Sequence, residues 1–92
     1  MDLLNSYIKR NDNIAWRVIE GEALVVDPKD SMIYPLNPVG ARIWQLLDGE
    51  KNISDIISVI NEEFEADKLI IQADTLDFLK DLLDKGMVKQ CV

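Results

Sequence analysis

The sequence contains no histidine and only one cysteine, Cys91. Histidine is the commonest protein ligand for metals and the commonest general base near neutral pH, so its absence argues against zinc sites and histidine-based catalysis. Glycine-rich phosphate loops and nucleophile elbows are absent as well. A single cysteine excludes an internal disulfide and is typical of a reducing cytosol. We therefore expect a cytoplasmic protein that is not an enzyme and that holds no metal or other cofactor.

Long hydrophobic runs and basic residues are also scarce. The apolar runs are only a few residues long, which is too short to span a bilayer, and the N-terminus lacks the features of an export signal. Ten Lys and Arg residues stand against 17 Asp and Glu residues, giving a net charge of −7. Such a surface repels phosphate groups. We expect neither a membrane nor a nucleic acid as partner.

The length and composition are those of one small domain. Ninety-two residues, 48% hydrophobic and 29% charged, are enough for a modest core. Residues 1–12 show no clear hydrophobic period, and we expect an N-terminal arm that is loosely ordered or holds one short strand. The domain itself is predicted over residues 13–92.

Three β-strands are predicted in the first part of this domain. They cover residues 13–19, 23–26 and 31–36, and the turns between them lie at residues 20–22 and 27–30. Short connections favour an antiparallel meander in sequence order, with the third strand at the edge of the sheet. Pro35 agrees with that position, because proline lacks a backbone N–H and is tolerated at sheet edges.

Three helices are predicted after the strands. Each has a capping residue: Asn37 followed by Pro38, then Asn52, then Asp67. Gly49 and Gly86 mark the ends of the first and third helices. Trp44 falls beside the apolar face of the first helix, which predicts a place near the boundary of the core. Three strands followed by three helices indicate an α+β fold of winged-helix type.

The third helix has an apolar face of roughly 160°, wider than the usual core-facing stripe. Two interpretations are open. A small domain can bury the whole face in its core. Alternatively, the face is divided between two tasks. Leu76, Leu79 and Leu83 then build the core, and a groove beside the third strand is lined by Ile71, Thr75, Phe78 and Leu82.

Such a groove suits an extended peptide. The edge strand offers unpaired N–H and C=O groups, and the helix offers apolar contacts, which together are the requirements of β-augmentation. The arm at residues 1–12 is an alternative cover for this edge, and Pro35 and nearby charges are alternative means of protecting it.

The sequence resembles the PqqD family over about residues 13–89. The stretches that carry the resemblance are GEALVVDPKDSMIYPLNPVGARIWQLLDG, NISDIISVI and DFLKDLLDKGMV. Members of this family, also called RiPP recognition elements, bind the leader part of a ribosomally made precursor peptide. They present it to a modifying enzyme such as a radical SAM protein, a cyclase or a leader protease.

The resemblance also implies a binding site. In the family the leader pairs with the third strand and rests against the third helix. In this chain those positions are Ser31, Met32, Ile33, Tyr34 and Leu36 on the strand and Ile71, Thr75, Phe78 and Leu82 on the helix. Strand alternation places Met32, Tyr34 and Leu36 on one face and Ser31 and Ile33 on the other, and it leaves open which face meets the peptide.

Two other functions fit a small winged-helix domain. The first is DNA binding, but the third helix carries five aspartates against three lysines from Asp67 to Gly86 and would be repelled by phosphates. The second is homodimerisation, in which the open strand pairs with its own copy.

Overall fold

A computed structural model describes residues 2–27, 29 and 31–91. These residues form an α+β fold with two antiparallel three-stranded sheets and three α-helices. A short 3-10 helix, Leu3–Asn5, precedes the first strand. The strands are β1 (Tyr7–Arg10), β2 (Ala15–Ile19), β3 (Glu22–Asp27), β4 (Met32–Leu36), β5 (Asp48–Asn52) and β6 (Val88–Cys91). The helices are α1 (Pro38–Leu46), α2 (Ile53–Phe64) and α3 (Lys68–Asp84).

The predicted meander is confirmed as the sheet β2-β3-β4, with β4 at one edge. Glu20 and Gly21 form the turn between β2 and β3, and both have positive φ angles, of 52° and 81°. This conformation matches the twist of a hairpin. Of the turn expected at residues 27–30, Pro28 and Asp30 lie outside the described residues. Ser31 has a φ of 56° and donates its N–H to the Asp27 carbonyl at 2.9 Å, so it precedes β4 instead of belonging to it.

The second sheet has the order β5-β1-β6 and was not predicted. Its central strand lies in the N-terminal arm, which we expected to be loosely ordered or to hold one short strand, and β1 is such a strand. Ile8 of β1 is completely buried, so this segment packs as part of the core. The described part of the arm, residues 2–12, adds no strand to β4, because β1 pairs with β5 and β6. Met87 and Val88 are buried in the core, and Val88 begins β6.

The three helices begin at the predicted caps. The side-chain oxygen of Asn37 accepts the Gly40 N–H at 2.8 Å, and that of Asn52 accepts the Asp55 N–H at 2.8 Å. Asp67 accepts from the first turn of α3 at 2.9 Å. These bonds satisfy N–H groups that the helices leave without internal partners. Among the described residues, no helix is both long enough and apolar enough to cross a membrane.

The expectation that Trp44 lies near the core boundary is wrong, because its side chain is fully buried. Its ring packs edge-on against Trp16 of β2, with 6.3 Å between the centroids. Arg10 of β1 donates to the carbonyls of Trp44 and Gln45 at 2.7 and 2.8 Å, near the end of α1. A cation there complements the negative end of the helix dipole. The end of α1 that carries Trp44 is therefore bonded to β1, in the N-terminal segment.

Candidate functional site

A groove runs between β4 and α3. It consists of a larger cavity of ≈ 550 Å³ towards the start of α3 and a smaller one of ≈ 200 Å³ towards its end. Both cavities are lined by Pro35, Leu36 and Phe78. The apolar side chains of α1 and α2 that close the larger cavity are Val39, Ile43 and Phe64. The groove expected from the sequence is therefore present, and it extends further towards α1 and α2.

On the strand side of the groove, the positions of the side chains show which face of β4 points towards α3. Tyr34 and Leu36 are partly buried, pack against the core and line the groove. Ile33 points to the opposite side of the sheet and is 59% exposed. Met32 shares the face of Tyr34 but lies at the hairpin end, where it is 54% exposed and lines neither cavity. Of the five predicted strand residues, two thus line the groove.

The helix side contains all four predicted residues. Ile71 and Thr75 line the larger cavity, Leu82 lines the smaller one, and Phe78 reaches both. The expected division of the α3 face is only partly right, because Ile71 and Leu82 are also members of the buried core. Leu79 is fully buried as expected, whereas the other two predicted core leucines, Leu76 and Leu83, are only partly buried. Some side chains therefore belong both to the floor of the groove and to the core.

The open edge of β4 lies along this groove. No other strand in the described part of the chain pairs with β4 on the side away from β3. Residues of an edge strand direct their N–H and C=O groups alternately to the neighbouring strand and to the open side. Pro35 has no N–H, which suits a residue whose backbone faces the open side. Ile33, two residues before it, faces the same side by alternation. Tyr34, opposite Val25, then belongs to the set that bonds β3.

Charged side chains form the rim of the groove, a feature that we did not predict. Asp74 and Asp77 line the larger cavity, and Asp81 and Lys85 line the smaller one. Lys85 Nζ lies 2.6 Å from an Asp81 carboxylate oxygen and 5.0 Å from the centre of the Tyr34 ring. The sequence did contain an indication of this rim, because the α3 aspartates recur at helical spacing beside the apolar face.

Groups with shifted pKa values lie elsewhere. A hydrogen bond from Arg42 lowers the pKa of the Glu63 carboxyl, and the same contact raises the pKa of the Arg42 guanidinium. The pKa of Asp48 is lowered, chiefly by the backbone N–H of Glu50. None of these residues lines the groove. Within residues 2–27, 29 and 31–91, no cluster of three or more acidic or cysteine side chains is placed to hold a metal ion. The groove is suited to binding through apolar contacts and backbone hydrogen bonds.

Two solved structures illustrate the similarity of this fold to known proteins. The structure described as TbiB1 in complex with the TbiA(beta) leader peptide has a TM-score of 0.77 and 28% identity, covering 88% of this chain and 94% of that one. The PqqD truncation of Methylobacterium extorquens PqqCD, described as a stand-alone RiPP recognition element, has a TM-score of 0.71 and 23% identity, covering 89% and 87%. The second likeness concerns the fold alone.

Sequence comparisons identify the family. The PqqA binding protein of Rhodopseudomonas palustris (strain HaA2) is 35% identical over 52 residues, which are 56% of this chain. That match spans only about half, 51%, of the relative's length. The sequence profile of coenzyme PQQ synthesis protein D (PqqD) matches residues 22–88, from β3 to the start of β6. The chain therefore belongs to the PqqD family.

Proposed function

We propose that this protein is a non-catalytic, cytoplasmic peptide chaperone. It binds the leader region of a ribosomally synthesised precursor peptide by strand addition to β4 and presents it to a modifying enzyme, such as a radical SAM protein, a cyclase or a leader protease. The observation that carries the proposal is the position of β4 beside an apolar groove, at the edge of a sheet in which β3 is its one strand neighbour among the described residues. The leader complex of TbiB1 and the naming of a relative as a PqqA binding protein support it.

The proposed binding mode uses both walls of the groove. An extended peptide lies along β4 and exchanges hydrogen bonds with the open backbone groups of Ile33 and with the Pro35 carbonyl. Its alternate side chains then point towards α3, where the two cavities receive them. The backbone bonds supply affinity for any extended chain, and the cavities supply selectivity. Because both walls lie within residues 13–92, we propose that this range carries the peptide site.

Phe78→Ala tests the helix wall. The Phe78 side chain is partly buried and lines both cavities, so a docked peptide covers its remaining surface. We expect the substitution to weaken binding by about 1–3 kcal/mol, the range of interface anchors. Calorimetric titration with a synthetic leader peptide of the cognate precursor measures the change.

The matched control for Phe78→Ala is Leu83→Ala. Leu83 lies on the same helix and is also partly buried, but it lines neither cavity. We expect Leu83→Ala to destabilise the fold and to leave the affinity of the folded protein unchanged. Parental affinity in Phe78→Ala, or equal losses in both variants, would show that the peptide does not rest on this wall.

A further inference from the structure

We propose that the larger cavity selects a basic peptide: a leader segment in which a Lys or Arg residue accompanies the apolar side chain that enters the cavity. This inference rests on the proposed function and names the chemistry of its ligand. Three features of the larger cavity support it, namely an acidic rim, a buried hydroxyl without a partner among the described residues, and an asymmetric distribution of positive charge along the groove.

The acidic rim follows from the arrangement of α3. At about 100° per residue, its aspartates and the capping Asp67 share an arc of roughly 100°. This arc directly borders the arc of Ile71, Phe78 and Leu82. Asp74 and Asp77 are exposed and line the larger cavity together with apolar side chains. A peptide side chain that packs on Phe78 is therefore adjacent to two carboxylates.

The buried hydroxyl belongs to Thr75, which lines the same cavity. Its side chain is 1% exposed, and its Oγ1 has no hydrogen-bond partner among the described residues. Buried polar groups in proteins are nearly always hydrogen-bonded, so an unpartnered one on a cavity wall is open to a hydrogen bond from a bound ligand. Lys and Arg side chains carry several N–H donors and no acceptor. One such group can donate to Thr75 Oγ1 or to the neighbouring carboxylates.

Positive charge is distributed unequally along the groove. In the smaller cavity, Asp81 is paired with Lys85 at 2.6 Å. In the larger cavity no basic side chain of the described residues forms an ion pair with Asp74 or Asp77. The whole chain carries a net charge of −7, which adds to the attraction of a cationic ligand. The peptide's basic residue therefore belongs at the larger cavity, near the first turns of α3.

Selection from a random library of 12-residue peptides displayed on phage tests the inference without knowledge of the natural leader. We expect the parent protein to enrich peptides with Lys or Arg within about two residues of a large apolar side chain, since side chains i and i+2 of a strand lie on one face. The double variant Asp74→Asn/Asp77→Asn should enrich apolar peptides without the basic residue. The control variant Glu62→Gln/Asp84→Asn removes the same formal charge at exposed positions that line neither cavity, and it should behave as the parent.

The affinities of the parent and the variants for one selected peptide then give the size of the charge effect. We expect Asp74→Asn/Asp77→Asn to weaken its binding about five- to tenfold at low ionic strength, with a smaller difference at high salt, as for exposed charge pairs. Replacing the peptide's basic residue with methionine should remove most of the difference between parent and variant.

The outcomes separate this inference from the proposed function. Selected peptides without basic residues, or equal enrichment by the parent and by Asp74→Asn/Asp77→Asn, overturn the charge preference but leave peptide binding standing. Selection of the same peptides by an Ile33→Pro variant, whose open edge is damaged, overturns strand addition. If the parent enriches no peptide, both proposals fail.

Discussion

Ile60→Ala is expected to lower the free energy of unfolding by about 2–5 kcal/mol, the range for deleting a fully buried branched side chain. Ile60 has no solvent exposure and lies on the core face of α2 with Ile53, Ile56 and Ile57. The loss has two parts: the removed methyl and methylene groups no longer leave water on folding, and the vacated volume is not fully refilled. Urea denaturation followed by circular dichroism measures the change.

The control for this substitution is Val59→Ala, one position away on the same helix. Val59 is only partly buried, so we expect a clearly smaller loss of stability. Neither substitution touches the groove, and the folded fraction of both variants should bind peptide as the parent does. An unfolding midpoint for Ile60→Ala equal to that of the parent would contradict the assigned core face of α2.

α2 also shows what the sequence was able to predict. Asn52 supplies a cap, and isoleucines at helical spacing follow it, so local chemistry and hydrophobic period agree. The same agreement holds for α1 and α3. The β2-β3 hairpin was predictable for a similar reason, because Glu20–Gly21 forms a recognisable tight turn. Elements specified by neighbouring residues were therefore predicted correctly.

The sheet β5-β1-β6 was not predictable from local sequence in this way. β5 has the sequence DGEKN and contains no apolar residue, so no alternation marks it as a strand. It forms because β1 pairs with it, and β1 is held on its other side by β6 at the opposite end of the chain. Strand formation of this kind depends on tertiary partners more than on intrinsic preference. One residue of β5 does reflect the contact with β1: Gly49 has a φ of 82°, and a Cβ atom added to it would lie only 3.3 Å from the Cβ of Lys9.

The candidate site was predicted to an intermediate degree. Helical spacing grouped the four α3 residues, and the structure places all of them at the groove. The spacing was not able to separate groove from core, because side chains such as Leu82 contribute to both. The inward face of β4 was likewise undetermined, since it depends on the register with β3, in which Tyr34 lies opposite the fully buried Val25.

Ile33→Pro is expected to weaken leader binding at least tenfold while the domain stays folded. Ile33 belongs with Pro35 to the residues whose backbone faces the open side of β4, so proline at position 33 removes an N–H that bonds to the peptide in the proposed binding mode. A strand tolerates the φ of proline there, and the Ile33 side chain is 59% exposed, which limits the loss of packing. Calorimetry with the leader peptide measures the binding, and circular dichroism with thermal melting measures the fold.

The control at the same position is Ile33→Ala, which removes most of the side chain but keeps the N–H. We expect it to retain most of the parental affinity, so the difference between the alanine and proline variants reports the backbone bond. A second contrast comes from the neighbouring residue. Tyr34 bonds towards β3, so Tyr34→Pro should remove a hydrogen bond of the sheet and destabilise the fold by about 1–3 kcal/mol. Tyr34→Ala, which keeps that N–H, separates this backbone loss from the loss of the ring.

Opposite responses at adjacent residues are what distinguish strand addition from binding by side chains alone. A peptide held only by the cavities would be sensitive to Phe78 and insensitive to the N–H at position 33. It would bind Ile33→Pro and Ile33→Ala equally well. That result would contradict pairing with β4, because no other contact between this edge and a peptide depends on a single backbone hydrogen.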